Sequence, residues 1–274
     1  MKKLITYFLL GMFLFLVLWV IWSNTALELS IHEIYSPELP EDFEGWRIAH
    51  VSDLHNAELG ENNRRLLALL EKAAPDIIVI TGDLVDCHRT DAELAVRFVE
   101  EAAQIATCYY VTGNHEAALA ESDYLKLEAQ LRDGGAVVLH NSALSIEREG
   151  GSLRLIGLDD PEFGDKGDVT ELLEPLAAGD GFTVLLSHRP ERFEEYCAAG
   201  IDLVFAGHAH GGQFRLPFVG GLYAPGQGPL PEYDAGLYSD GGTQMLLSRG
   251  IGNSLIPIRF NNRPELILAV LHTE

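Results

Sequence analysis

Five times along this chain an apolar run stops abruptly in a turn that carries Asp, Asn or His. WRIAHV runs into SDLHN, IIVIT into GDLVD, YYVT into GNHE, TVLL into SHRP, and IDLVFA into GHAHGGQ. Between the runs the apolar spacing becomes helical, as in NNRRLLALLEKAA, AELAVRFVEEAAQIA, YLKLEAQLRD and ERFEEYCAA. Strand and helix taking turns is the signature of parallel β-α-β units. In sheets built that way the carboxyl ends of the strands form the rim where ligands bind. Asp53, His55, Asp83, Asn114, His188, His208 and His210 can therefore converge, although they lie far apart in sequence.

Further runs read as strands: ALELSIHEI, AVVLHN, SALSIERE and SLRLIGLDD as a hairpin across Gly150 and Gly151, TQMLLS and ELILAVLH. About ten strands for five helices exceeds what one doubly wound sheet needs, so two packed sheets with helices outside are expected. Residues 214–242 read as a long loop rich in glycine, proline and aromatics. Such a loop is either functional or an ordered, inert excursion. Phe214, Phe218, Tyr223, Tyr233 and Tyr238 in it would cover an acyl chain or a nucleobase, or pack the loop against the domain.

Four imidazoles, two carboxylates and an amide oxygen, with no sulfur, suit divalent Mn, Fe, Zn or Co. Seven donors are too many for one tetrahedral ion. If Asp83 bridges with both oxygens, two ions each gain four protein ligands. A lone Asp or His after a strand is ordinarily a cap or turn residue, but five such turns in register call for a shared explanation. Glycines beside them allow sharp turns and close approach of substrate.

The ordered set DxH, GDxxD, GNHE, SH and GHxH resembles the calcineurin-like metallophosphoesterase family, from about Gly45 to Gly212. The resemblance implies an α/β fold: a four-layer αββα sandwich of two mixed β-sheets flanked by helices. It also implies metal roles, with Asp53, His55 and His210 on the first of two divalent ions. Asn114, His188 and His208 would hold the second, and Asp83 would lie between them. His115 would be the general acid, and Asp86 of GDLVD the group that orients it; a turn or N-cap role is the plain alternative for Asp86. The implied reaction is direct in-line attack of a metal-bridging hydroxide on a phosphodiester, pyrophosphate or phosphomonoester. Ala209 stands where relatives often carry Thr, which removes no ligand. Arg189, beside His188 and before Pro190, is read either as touching a substrate oxygen or as a solvated loop arginine.

Two rivals come from other classes. HAH is similar to the HxHxDH motif of metallo-β-lactamase folds, but here HxH comes last and Gly212 occupies the place Asp would need. A non-enzymatic scaffold of the same fold would be expected to have lost ligands, and all seven are present together with His115.

Ahead of this domain, MKK precedes an uncharged apolar stretch from Leu4 to Trp22, long enough to cross the hydrocarbon core. A cleaved signal peptide has a shorter apolar region, and SNTALEL makes a poor cleavage site. The reading is an anchor over residues 1–23 and a catalytic domain over 24–274. Lys2 and Lys3 place the N-terminus in the cytoplasm and the domain outside the cytoplasmic membrane. Cys87, Cys108 and Cys197 show no CxxC spacing and signal neither a disulfide framework nor a thiolate zinc site. Free thiols weigh against export. With 19 basic and 41 acidic residues the net charge is −22, which argues against nucleic acid and anionic lipid as partners.

With the tail SRGIGNSLIPIRFNNRPELILAVL, the whole resembles the membrane-anchored bacterial branch of the family. That resemblance points to phosphodiesterase activity on a lipid-linked phosphoester at the membrane surface. UDP-2,3-diacylglucosamine, from lipid A biosynthesis, is one candidate. Its cytoplasmic location conflicts with an outside-facing domain. Substrate, ion identity and oligomeric state are left open by the sequence.

Overall fold

The computed structural model describes residues 1–163, 168–179 and 181–273. Helix α1 (Lys2–Thr25) leads into β1 (Glu28–Tyr35), followed by β2 (Arg47–Val51), α2 (Arg64–Ala73), β3 (Ile77–Thr81) and α3 (Ala92–Ala102). Next come β4 (Thr107–Val111), α4 (Asn114–Ala117), α5 (Glu121–Asp133), β5 (Ala136–Val138) and the hairpin β6 (Ser142–Arg148) to β7 (Gly151–Gly157). Then follow α6 (Val169–Ala177), β8 (Thr183–Leu186), α7 (Phe193–Ala198) and β9 (Leu203–Ala206). Beyond β9 the chain forms two minimal ladders, β10 (Arg215–Leu216) with β11 (Gly220–Gly221) and β12 (Tyr223–Ala224) with β13 (Gly228–Pro229). It closes with β14 (Gly236–Asp240), β15 (Thr243–Leu247) and β16 (Glu265–His272).

Two six-stranded sheets result, ordered β1-β16-β2-β3-β4-β5 and β14-β15-β9-β8-β7-β6. Both are mixed. The run β2-β3-β4-β5 is parallel while β16 opposes β2, and β15-β9-β8-β7 is parallel while β14 and β6 oppose their neighbours.

Because side chains alternate across a strand, IIVIT of β3 serves two cores. Ile77 and Val79, with Val111 and Ile267 of the same sheet, face the second sheet and share a core with its Val184, Phe205 and Leu246. Ile78 and Ile80 face outward onto Leu66 and Leu70 of α2 and Phe98 and Val99 of α3. On the far side, Leu185, Val204 and Met245 pack against Leu173 of α6 and Phe193 and Tyr196 of α7. The layers are therefore helix, sheet, sheet, helix. Each fully buried aliphatic side chain contributes about 1.5–3 kcal/mol relative to exposure.

Several elements depart from the sequence reading: β10 to β14 fall in the supposed loop 214–242, α4 in the GNHE turn, and α6 in a stretch given no element. The supposed loop 214–242 ends in β14, an exposed edge strand of sequence GLYSD whose glycine, serine and aspartate hide its period of two. Helix α6 lies in a stretch with no assignment; Asp168 caps it by accepting from Thr170 N, while Pro175 interrupts its helical pattern. Helix α1 is long and apolar enough to cross a membrane, and its apolar side chains are exposed along nearly its whole length.

Candidate dinuclear metal centre

The carboxyl ends of β2, β3 and β4 in one sheet and of β8 and β9 in the other meet at the seam between the sheets. Hydrogen bonds between side chain and backbone cross that seam: His208 N donates to Asp53 Oδ1 at 3.1 Å, and His188 Nδ1 to Thr81 O at 2.7 Å. The glycines make this approach possible. A Cβ on Gly207 would collide with the Ser52 and Asp53 side chains, and one on Gly82 with the backbone of Gly113.

All seven of the residues singled out are brought to this seam. Donor atoms of Asp53, His55, Asp83 and His210 lie within 4.8 Å of one another, as do those of Asp83, His188 and His208. Asp83 belongs to both groups. Asn114 Oδ1 sits 3.2 Å from His188 Nε2 and so joins the second. Within the groups, His55 Nε2 is 3.2 Å from His210 Nε2, and His208 Nδ1 is 3.2 Å from His188 Nε2. Asp83 Oδ2 lies 3.4 Å from His55 Nε2 and 3.3 Å from His188 Nε2.

Asp53, His55, Asp83, His208 and His210 all have positive φ, between 45° and 68°. This left-handed backbone costs non-glycine residues energy and clusters at functional sites.

The electrostatics fit a cation. Burial pushes His55 and His210 down to about 3 and His208 well below its ordinary value, so their lone pairs are free at neutral pH. Burial works to raise Asp83, but His188 and His55 outweigh it and hold the carboxyl well below the usual range. Burial also works to lower His188, yet Asp83 overrides it and holds that ring up to about 10. That pull marks the Asp83 side of the His188 ring as a place where positive charge is favoured. The His188 Nδ1–H bond to Thr81 O fixes the ring so that Nε2 faces that point, as outer partners of metal-binding histidines do.

His115 is close by, its ring 4.5 Å from that of His55. Cys87 N donates to His115 Nδ1 at 3.0 Å, so the proton of the neutral ring is on Nε2, which lies 3.1 Å from Ser254 Oγ. Asp86 is beside His115 without a hydrogen bond to it; the nearest approach to Nδ1 is 3.9 Å. Its carboxylate instead accepts from His88 N and from Arg89 Nη2, both at 2.9 Å. Asp86 thus shapes the turn that presents Cys87 N–H to the ring.

Two residues at the site, Glu116 and Ser254, carried no role in the sequence reading, and a third, Arg189, departs from one of its two readings. Glu116, fully buried, accepts from the backbone N–H of Asp83, Val85 and Gly113. Burial and the Asp83 charge raise its carboxyl to about 7, against the pull of the three amides. The E of GNHE was its only signal. Ser254 had none. Arg189 is not a solvated loop arginine: it is buried, pairs with Asp160 through two nitrogens, and places Nη1 3.0 Å from His208 Nε2. A cavity of about 190 Å³ opens over the centre, lined by Asp83, Asn114, His115, His208 and His210 below and by Tyr223, Leu255 and Ile256 above.

Two buried donor clusters sharing one carboxylate, at the strand ends of an αββα sandwich, define a two-metal hydrolase. Residues 47–212 match the calcineurin-like phosphoesterase family model, and the chain belongs to that family. It is a metal-dependent phosphoester hydrolase that uses two divalent ions. Among relatives, the uncharacterized metallophosphoesterase YkuE of Bacillus subtilis is 29% identical over 256 residues, covering 89% of this chain and 85% of that one. Phosphodiesterase YaeI of Escherichia coli is 29% identical over 231 residues, covering 82% of each. The NAD nucleotidase NadN of Haemophilus influenzae shares the fold, with a TM-score of 0.50 at 16% identity over 75% of this chain and 45% of that one.

Proposed function

We propose that Asp53, His55 and His210 hold one ion, Asn114, His188 and His208 the other, and Asp83 bridges them, in a phosphodiesterase working at a membrane surface. The observation that carries this reading is the single carboxylate of Asp83 shared by two otherwise separate, buried clusters. When bound, the ions activate water and neutralise the phosphoryl oxygens. His115, with Nε2 toward the cavity, would donate to the leaving oxygen from its cationic form, in which Nδ1 also carries a proton in place of accepting from Cys87 N, and is left neutral. Asp86 positions His115 through the Cys87 amide. Arg189, held by Asp160, lies with its guanidinium against the edge of the His208 ring beside the second cluster.

Residues 1–23 serve as a single-pass anchor and 24–274 as the catalytic domain, outside the cytoplasmic membrane. Likeness to phosphodiesterase YaeI of Escherichia coli supports a phosphodiester. The apolar upper wall of the cavity, Tyr223, Leu255 and Ile256, supports a lipid-linked one. UDP-2,3-diacylglucosamine fits that class only if the domain faces the cytoplasm. Protease digestion of intact against lysed cells decides the orientation.

The chemistry is tested with the full chain in detergent. Turnover of bis-p-nitrophenyl phosphate should stop with chelator and return with Mn; no turnover after reloading with Mn, Fe, Zn or Co would leave a binding scaffold.

A further inference from the structure

The last turn of α1 and the segment between β15 and β16 are tied together at one side chain. Asn24 Oδ1 accepts from Asn253 Nδ2 at 3.2 Å and from Arg259 N at 2.9 Å, and Asn24 Nδ2 donates to Arg259 O at 2.9 Å. Next to it, Asn261 N donates to Ser23 Oγ at 3.0 Å, and the Arg263 guanidinium lies 4.9 Å from the centre of the Trp22 ring. Residues 254–258, SLIPI, therefore form a loop whose two ends meet at the end of the apolar helix.

This loop is held from inside. Gln213 Nε2, at the end of the GHAHGGQ turn, donates to Ile256 O at 2.9 Å and to Ile258 O at 2.7 Å. Its inner side belongs to the catalytic cavity through Ser254, Leu255 and Ile256. Outside, it carries no charge: Leu255 is 79% exposed, Ile256 43% and Ile258 45%. An uncharged, apolar loop is costly in water and stable in the headgroup-acyl boundary. An apolar helix that spans a bilayer leaves it at its end, and Asn24 lies in the last turn of α1.

We propose that residues 254–258 are a bilayer-contacting wedge, with Leu255, Ile256 and Ile258 seated in the membrane interface beside the exit of α1, so that the catalytic cavity opens at the lipid surface. The substrate class is then an amphiphile whose phosphoester reaches the ions while its tail stays in the bilayer. The inference rests on the reading of α1 as an anchor and of the cavity as a phosphoesterase site. Contact is apolar, since a chain of net charge −22 gains nothing from anionic headgroups.

The test uses the full chain in phosphatidylcholine nanodiscs. Cys87, Cys108 and Cys197 are replaced by serine, alanine and serine, and a polarity-sensitive fluorophore is attached through Leu255→Cys or, as the control, through Leu125→Cys on α5. The wedge predicts that the label at 255 is quenched by lipid carrying a nitroxide near its headgroup and shielded from iodide, and that the label at 125 behaves the opposite way. Equal access of iodide to both labels would overturn it. A second arm keeps the native cysteines. Ile258→Asp should lower turnover of a fluorescent phosphodiester lipid in phosphatidylcholine vesicles about 10-fold relative to bis-p-nitrophenyl phosphate, the scale of one large apolar side chain lost from the interface. Equal effects on the two substrates count against the wedge. Failure of the wild-type chain on bis-p-nitrophenyl phosphate counts against the phosphoesterase reading instead, and the labelling result stands apart from either.

Discussion

The floor and the rim of the catalytic cavity are built on opposite principles. On the floor, Asp53, His55, Asp83, His188, His208 and His210 are all buried, fixed by strand ends and by bonds that cross from sheet to sheet. On the rim, Tyr223 of the minimal strand β12 and Leu255 and Ile256 of an irregular loop are exposed and largely apolar. The difference teaches where each property resides. Reaction chemistry needs charges held still in a dry place, whereas choice of substrate needs a surface that can vary without disturbing them.

Changes to the floor should therefore be severe and blind to substrate. Asp83→Asn is expected to abolish turnover of every phosphoester and to lower metal content by at least one ion per chain; full occupancy by elemental analysis would break the comparison at its centre. Next in size, His115→Ala should reduce kcat by about 100- to 10,000-fold with both ions retained, and loss of metal in that variant would move His115 from the reaction to the ligand set.

Asp86→Asn sharpens the boundary. A side chain that acts through a turn and a backbone amide should cost less than about 10-fold in kcat, below the range of a lost general acid. A fall equal to that of His115→Ala would mean that the carboxylate closes the 3.9 Å gap to His115 during the reaction. Smallest of all, Tyr223→Ala on the rim should raise KM several-fold for bulky esters and leave kcat for bis-p-nitrophenyl phosphate unchanged. A matching drop in kcat would show that the rim takes part in the chemistry.

The two regions also differ in how far sequence revealed them. Floor residues could be found because metal chemistry restricts their type and parallel strands restrict their place: Asp, Asn or His just after an apolar run. The strands themselves were legible from continuous apolar runs with both faces buried, such as IIVIT. GLYSD failed that test because an edge strand exposed on most positions has no such run. The rim leaves no comparable trace. LIPI reads equally well as core, and nothing links Ser254 to His115 across 139 residues of sequence. Asp86 lies between these cases: its spacing from Asp83 placed it beside His115, but whether it bonds the ring or the turn is a matter of a single ångström that spacing does not encode.

The left-handed backbone under five of the donors outlasts the chemistry it serves. Any descendant of this chain that gave up its ions would keep the same tight corners at the strand ends. Glycine or asparagine would then be the economical replacement at positions 53, 55, 83, 208 and 210, and a valine or isoleucine there would damage the fold itself. A decayed copy would thus carry a trail of flexible residues marking where its histidines and aspartates once stood.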